Sequence, residues 1–168
     1  AVVTIRKANN TDIYNLVEFK RYYWSTVYVH EEFAKKVTIE KNFNAKKERA
    51  ILEILMNCTE DQLFLLAEID GRLAGYIQLA KSISENEIKS FYIIQNVLKT
   101  DVEAALLRDA FKWLNPQLSI KTKVVSYDTQ QRKMNKKLGF NLVADTDDNS
   151  KNDNPINLPL ICMRKKVD

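Results

Sequence analysis

The stretch Asn86–Leu114, NEIKSFYIIQNVLKTDVEAALLRDAFKWL, holds a strand, a turn and a helix in one unit. Ile88, Phe91, Tyr92, Ile93 and Ile94 form a β-branched and aromatic run of strand length, interrupted by Gln95 to Lys99. Thr100 followed by Glu103 has capping-box spacing and predicts Thr100 as the N-cap of a helix. Val102, Ala105, Leu106, Ala110, Trp113 and Leu114 then recur at helical spacing until Asn115-Pro116 ends the pattern. A strand feeding a helix N-terminus suits an anion, because the unpaired N–H groups and the helix dipole both favour negative charge. Here Thr100 Oγ would occupy one donor, and Asp101 and Glu103 put two carboxylates where a phosphate would sit. A plain helix cap and an anion-binding loop are both open at this point.

Working outward, Leu63–Ile69 and Leu73–Leu79 flank Asp70-Gly71-Arg72 and predict an antiparallel hairpin. Val2–Arg6 alternates as a first strand and runs into Asn9-Asn10-Thr11-Asp12, an N-cap segment for a helix carrying Ile13, Leu16 and Val17. Tyr22, Tyr23, Trp24 and Tyr28 follow at helical spacing, as core packing or as an aromatic platform beside a cleft. Glu31 to Asn57 is helical with a break near Asn42-Phe43-Asn44. Its stripe of Ile51, Leu52, Ile54, Leu55 and Met56 lies opposite a solvated face of Lys46, Lys47, Glu48 and Arg49. On the C-terminal side, Ile120–Tyr127 is a strand, and Gln130–Lys137 is a basic helix closed by Gly139. Phe140–Ala144 and Leu158–Arg164 are the last two strands.

With 168 residues, 45% hydrophobic and 29% charged, and no Pro/Gly/Ser-rich linker, the expectation is a single domain over residues 1–168. No apolar run nears the roughly 20 residues needed to span a bilayer, and no signal peptide is expected. A net charge of +4, scattered along the chain, does not argue for a nucleic-acid partner. Cys58 and Cys162 lack CxxC spacing or a histidine partner, which suits small buried hydrophobes in a reducing cytoplasm. His30 is the only histidine, so neither a His-rich metal site nor a Ser-His-Asp constellation is expected. The loop DTDDNSKND at 145–153 alternates oxygen ligands, but Ser150 and Ile156 stand where a calcium loop needs Gly and Glu, so no metal is expected there.

The element order, together with TIRKANNTD, LAEIDGRLAGYIQL, EIKSFYI, AALL and KKLGF, resembles the GNAT superfamily of acyl-CoA-dependent N-acyltransferases over nearly the full length. The region before the hairpin and the closing LPLICMRKKV look most like the bacterial polyamine N-acetyltransferase branch. The resemblance implies an α/β (α+β) fold with a mixed, mostly antiparallel sheet of about seven strands, flanked by about four helices. It also implies a splay between the fourth and fifth strands, where the thioester of acetyl-CoA would lie. The cofactor would meet Ile93 and Ile94 on the strand and a pyrophosphate loop on Leu98, Lys99, Thr100, Asp101, Val102 and Glu103. Every signature position of that loop is changed: Leu98 replaces Gln or Arg, and Asp101 and Glu103 replace the small residues. Asn135 stands where the family places the Tyr that protonates the departing thiolate, and Asp128 and Gln131 replace an Asn and an Ala on the same helix.

Two functions follow from this pattern. One is transfer of acetyl from acetyl-CoA to a primary amine, a polyamine or other small amino compound. Its candidate catalytic residues are Glu87 as base, Asn135 at the thiolate, and Asp128 and Tyr127 as further bases. The other is a catalytically degenerate module of the same fold that binds a protein partner or small ligand, through a patch built from Tyr22, Trp24, Tyr28 and Phe33.

Overall fold

The computed structural model describes residues 2–96, 98–143 and 158–167; the predicted 145–153 loop lies outside them. The chain runs β1 (Val3–Lys7), a 3₁₀ turn (Asn10–Asp12), α1 (Ile13–Tyr23), a π-helical turn (Trp24–Tyr28), α2 (Lys36–Asn42) and α3 (Ala45–Met56). It continues with β2 (Gln62–Ile69), β3 (Arg72–Lys81), β4 (Asn86–Ile93), α4 (Lys99–Trp113), β5 (Ile120–Val125), α5 (Thr129–Lys137), β6 (Phe140–Leu142) and β7 (Leu160–Lys165). The strands form one open seven-stranded sheet in the order β1-β2-β3-β4-β5-β7-β6. All neighbours are antiparallel except β4 and β5.

Strand alternation divides the core between the two faces. Leu63, Leu65 and Ala67 of β2 join Ile77, Val102 and Leu106 beneath α4, while Phe64 and Leu66 join Leu16, Val17 and Leu52 beneath α1 and α3. Each fully buried Leu or Ile contributes roughly 1.5–3 kcal/mol relative to exposure. The hairpin turns on Asp70 and Gly71, at φ of 52° and 74°, the pair of positive values that a two-residue turn of the I′ kind requires.

The helix after β4 starts differently from the sequence expectation. Its N-cap is Leu98, with no side-chain cap bond, and Thr100 is already inside the first turn. Asn96 pre-empts the threonine: its Oδ1 accepts from Leu98 N at 2.8 Å and its carbonyl from Lys99 N at 3.1 Å. A helical backbone at Thr100 denies its hydroxyl the N-cap geometry.

Other departures concern the first half of the chain. Residues 31–35 do not belong to a helix, and the break at 42–44 is complete, with Asn44 capping α3 by accepting from Lys47 N at 3.1 Å. That break is what makes five helices rather than four among the described residues. The α3 stripe is buried only at Leu52, and Ile54 stays 67% exposed. Glu48, expected on a solvated face, turns inward to pair with Lys20 at 3.1 Å. Cys58 is exposed rather than buried, because it follows the end of α3 at the surface.

Candidate active site between strands β4 and β5

β4 and β5 pair in parallel only over Asn86–Ile88 against Ile120–Thr122, where Thr122 Oγ1 donates to the Ile88 carbonyl at 3.2 Å. Beyond that point they separate. The register with β3 jumps between Gln78↔Ser90 and Leu79↔Ile88, so Lys89 is an extra residue in β4, a bulge of the kind that bends a strand off its neighbour. β5 stays with β7 along its whole length. The gap opens into a cleft of about 670 Å³ that reaches from α5 to the α1/α3 face.

The free half of β4 points backbone groups into this gap. Ile94 N donates to Ala74 O at 2.7 Å, so by antiparallel alternation Tyr92 also bonds towards β3, and the N–H groups of Phe91 and Ile93 face the β5 side. Gln95 Nε2 reaches the Ile93 carbonyl on that side at 3.2 Å. Of the strand residues expected at the cofactor, Ile93 therefore offers its amide, whereas Ile94 has spent its own on β3. Both side chains pack with the α4 core.

Among the described residues, three carboxylates line the cleft: Glu48, Glu87 and Asp128. Glu87 lies at the closed end, a quarter exposed and 3.9 Å from Lys121, its register partner on β5. Asp128 lies past the end of β5, where its Oδ1 caps α5 by accepting from Gln131 N at 3.1 Å. Half-burial raises the Asp128 carboxyl above its ordinary range and Glu31 adds to this, while the cap bond and Lys99 oppose it.

Asn135 is buried among these groups: its Oδ1 accepts from Gln131 Nε2 at 2.9 Å and its Nδ2 faces Met163 Sδ at 3.7 Å. Glu87, Asp128 and Asn135, proposed from sequence, thus meet in one cleft. Tyr127 does not join them; it turns outward, its hydroxyl donating to Phe33 O at 2.9 Å.

The aromatic cluster proves to be both core and wall. Trp24 is 4% exposed, its Nε1 donating to the Tyr92 hydroxyl at 3.0 Å, and it stacks on Tyr28 at 5.8 Å. Tyr23 meets Tyr28 edge-on at 5.5 Å and Tyr92 at 4.9 Å. Burial pushes the Tyr28 hydroxyl well above its usual value. Only Tyr22 of the group faces solvent, at 66% exposure, so the exposed patch expected of a binding module does not form. Sequence reading missed Tyr76, Gln78 and Ser90 as cleft residues. Period-two alternation from Tyr92 across the β3 register was the signal that leads to them.

The α4 N-terminus lies apart from the 670 Å³ cleft, and Ile94 and Leu98 line a second, shallower hollow of about 420 Å³ beside the hairpin turn. Asn96 takes the Leu98 and Lys99 amides and Val102 N bonds to Leu98 O, while Thr100 and Asp101 lie in the first turn, whose N–H groups a helix does not pair within itself. Val102 is fully buried, its Cγ1 3.3 Å from where a Cβ on Gly75 would stand, so its side chain is core. Asp101 is exposed; Glu103 is half-buried and its carboxyl is raised by burial, with Lys99 pulling the other way. N–H groups at such a helix start favour negative charge, and the two acids there oppose it.

No protein-family model matches the sequence, and neither does any curated protein. Solved structures do match in fold. The PaiA N-acetyltransferase of Thermoplasma acidophilum, solved with coenzyme A, has a TM-score of 0.78 at 24% identity, covering 99% of both chains. A GNAT-family acetyltransferase from Streptococcus pneumoniae gives 0.62 at 15% identity over 99% of this chain and 100% of its own. A ribosomal-protein-alanine N-acetyltransferase from Brucella melitensis gives 0.63 at 15% identity, over 97% and 99% respectively. The chain has the fold of the GNAT acetyltransferases. Among the described residues no group of His, Cys, Asp and Glu could hold a metal, and no helix is long and apolar enough to cross a membrane.

Proposed function

We propose that this protein is an N-acyltransferase that moves an acyl group, most simply acetyl, from acyl-CoA to a primary amine of a small amino compound such as a polyamine. The observation that carries this reading is the separation of β4 from β5 after Ile88 and Thr122, which exposes strand amides beside an aromatic cleft that holds Glu87 and Asp128. The likeness to a coenzyme A complex supports it.

Acyl-CoA supplies an activated thioester. An alkylamine of pKa near 10 must shed a proton before it attacks, and Glu87, on the same strand at the closed end of the cleft, would take it through a chain of waters. The Phe91 and Ile93 N–H groups are donors for an acyl oxygen, in a site where fixed dipoles need no reorganisation. Asn135 offers an N–H to sulfur, as it does to Met163, but no acidic proton. A thiolate of pKa near 8.5 departs without one, so the reaction is slowed rather than blocked.

Diphosphate binding falls to the Thr100 and Asp101 amides and to Lys99, against the charges of Asp101 and Glu103. The pyrophosphate loop is in this sense degenerate, and affinity for the acyl donor is expected to be weak. Calorimetric titration with acetyl-CoA and CoA tests the reading. Weak binding that tightens in the double variant Asp101→Asn, Glu103→Gln supports it; no binding by either form contradicts it.

A further inference from the structure

In a regular strand Glu87 and Ser90 would point to opposite sides of the sheet. The extra residue at Lys89 brings them to one side. Glu87 lies opposite Ala80, Ser90 opposite Gln78 and Tyr92 opposite Tyr76, and the three form a floor to the cleft on the α1/α3 side. Ile88, Phe91 and Ile93 take the α4 side. Gln78 is the unusual member of this floor. It is 8% exposed in the middle of β3, on the same face as the buried Tyr76, where alternation calls for an apolar side chain. Ser90 Oγ donates to its Oε1 at 3.2 Å. Among the described residues the other end of the amide has no hydrogen-bond partner, and Gln78 lines the cleft.

A buried amide end is costly to leave unpaired. Charged groups at this floor are already committed: Lys20 holds Glu48 at 3.1 Å and Glu87 faces Lys121 at 3.9 Å. A neutral hydroxyl fits best, because it both donates and accepts and so complements either end of the amide. We infer that Gln78 and Ser90 form a hydroxyl-binding subsite, and that the acceptor is a short amino alcohol in preference to a plain alkylamine. Ser90 directly precedes Phe91, whose N–H faces the gap, so the chain between amine and hydroxyl is short. This narrows the small amino compound of the acyltransferase reading and rests on that reading for its purpose, though not for its test.

Calorimetry with and without CoA reads the subsite directly, using ethanolamine, 3-amino-1-propanol and 4-amino-1-butanol against ethylamine, propylamine and butylamine. Each pair differs only in the hydroxyl. The wild type is expected to bind the best-fitting amino alcohol about tenfold or more tightly than its alkylamine, since a site built for a hydroxyl is left with unpaired polar groups when the hydroxyl is missing. Gln78→Leu, similar in size and unable to hydrogen-bond, is expected to bring that ratio near one. Ser90→Ala, which frees the amide to rotate, is expected to lower it severalfold and serves if the urea midpoint shows that Gln78→Leu does not fold. Wild-type protein that binds no amino alcohol, or binds every pair equally, would overturn the inference, as would a ratio that a folded variant leaves untouched. Acetyl transfer measured in parallel reports on the other reading: a hydroxyl preference without transfer leaves the subsite standing and removes the enzyme, and transfer without the preference does the reverse.

Discussion

Trp24 Nε1 donates a 3.0 Å hydrogen bond to the Tyr92 hydroxyl, joining the π-helical turn after α1 to the half of β4 that has left β5. This bond is buried, and it holds the aromatic wall against the strand that frames the gap. Tyr92→Phe removes the acceptor and strands the indole N–H, at a cost of about 1–3 kcal/mol. Urea unfolding of the variant measures it, and an unchanged midpoint would mean that the indole finds another acceptor.

Gly75 lies opposite Ile93 on β3, and a Cβ there would stand 2.8 Å from the Tyr92 carbonyl and 3.3 Å from Val102 Cγ1. Neither a strand backbone nor a buried side chain at the start of α4 gives way easily. Gly75→Ala is expected to lose about 1–3 kcal/mol, as overpacking does, and to shift β4 at the gap. Amide exchange along β4 that stays at wild-type rates would contradict this.

Arg6 grips Asp12 with two bonds, Nη1 to Oδ2 at 2.9 Å and Nη2 to Oδ1 at 2.7 Å, and Asn9 N adds a third at 2.9 Å. The Arg6 bonds hold the Asp12 carboxyl below its usual value despite burial. A depressed folded pKa means that the unfolded chain takes up protons first as pH falls. The stabilisation is therefore complete above the unfolded value near 3.9 and is lost below it. Asp12→Asn should destabilise by about 1.5–3 kcal/mol near neutrality and flatten the stability profile below about pH 4. Equal acid sensitivity in both proteins would rule the pair out as its source.

The elements legible in the sequence were those fixed by near neighbours. Asp70-Gly71 specifies its own turn, Asn42-Phe43-Asn44 breaks the helical run, and Gly139 ends α5 in the φ 98° conformation that the chain needs there. Thr100 misled because Asn96 competes for the same turn earlier, and a side-chain contest of that kind leaves no trace in spacing. The π-helical turn at Trp24–Tyr28 has helical periodicity and was indistinguishable from a continued α1. The inward turn of Glu48 depends on Lys20 from another helix, a contact far apart in sequence. For the site, Glu87, Asp128 and Asn135 came through resemblance, and their convergence depends on how far β4 and β5 pair, which no local pattern encodes.

If the α4 N-terminus receives the donor's diphosphate as proposed, removing its acids should change donor affinity without touching the cleft. At about 4 Å a unit charge pair is worth about 1 kcal/mol in water and about 4 at an effective dielectric near 20. Asp101→Asn with Glu103→Gln should therefore tighten acetyl-CoA by roughly tenfold or more, an effect that shrinks with added salt. A salt-independent change would point to sterics instead of charge.

The most direct test of acyl transfer is amine-dependent release of free CoA thiol from acetyl-CoA, followed in the wild type and in Glu87→Gln. The ion pair to Lys121 is long and partly exposed, so this substitution should leave the fold intact. Wild-type protein is predicted to release CoA only when a primary amine is present, with the acetylated amine as co-product. Glu87→Gln should lower kcat about 10²-fold or more and remove the limb of the pH–rate profile that reports the base. Release that ignores the amine, or a Glu87→Gln rate equal to the wild type's, would contradict the assignment.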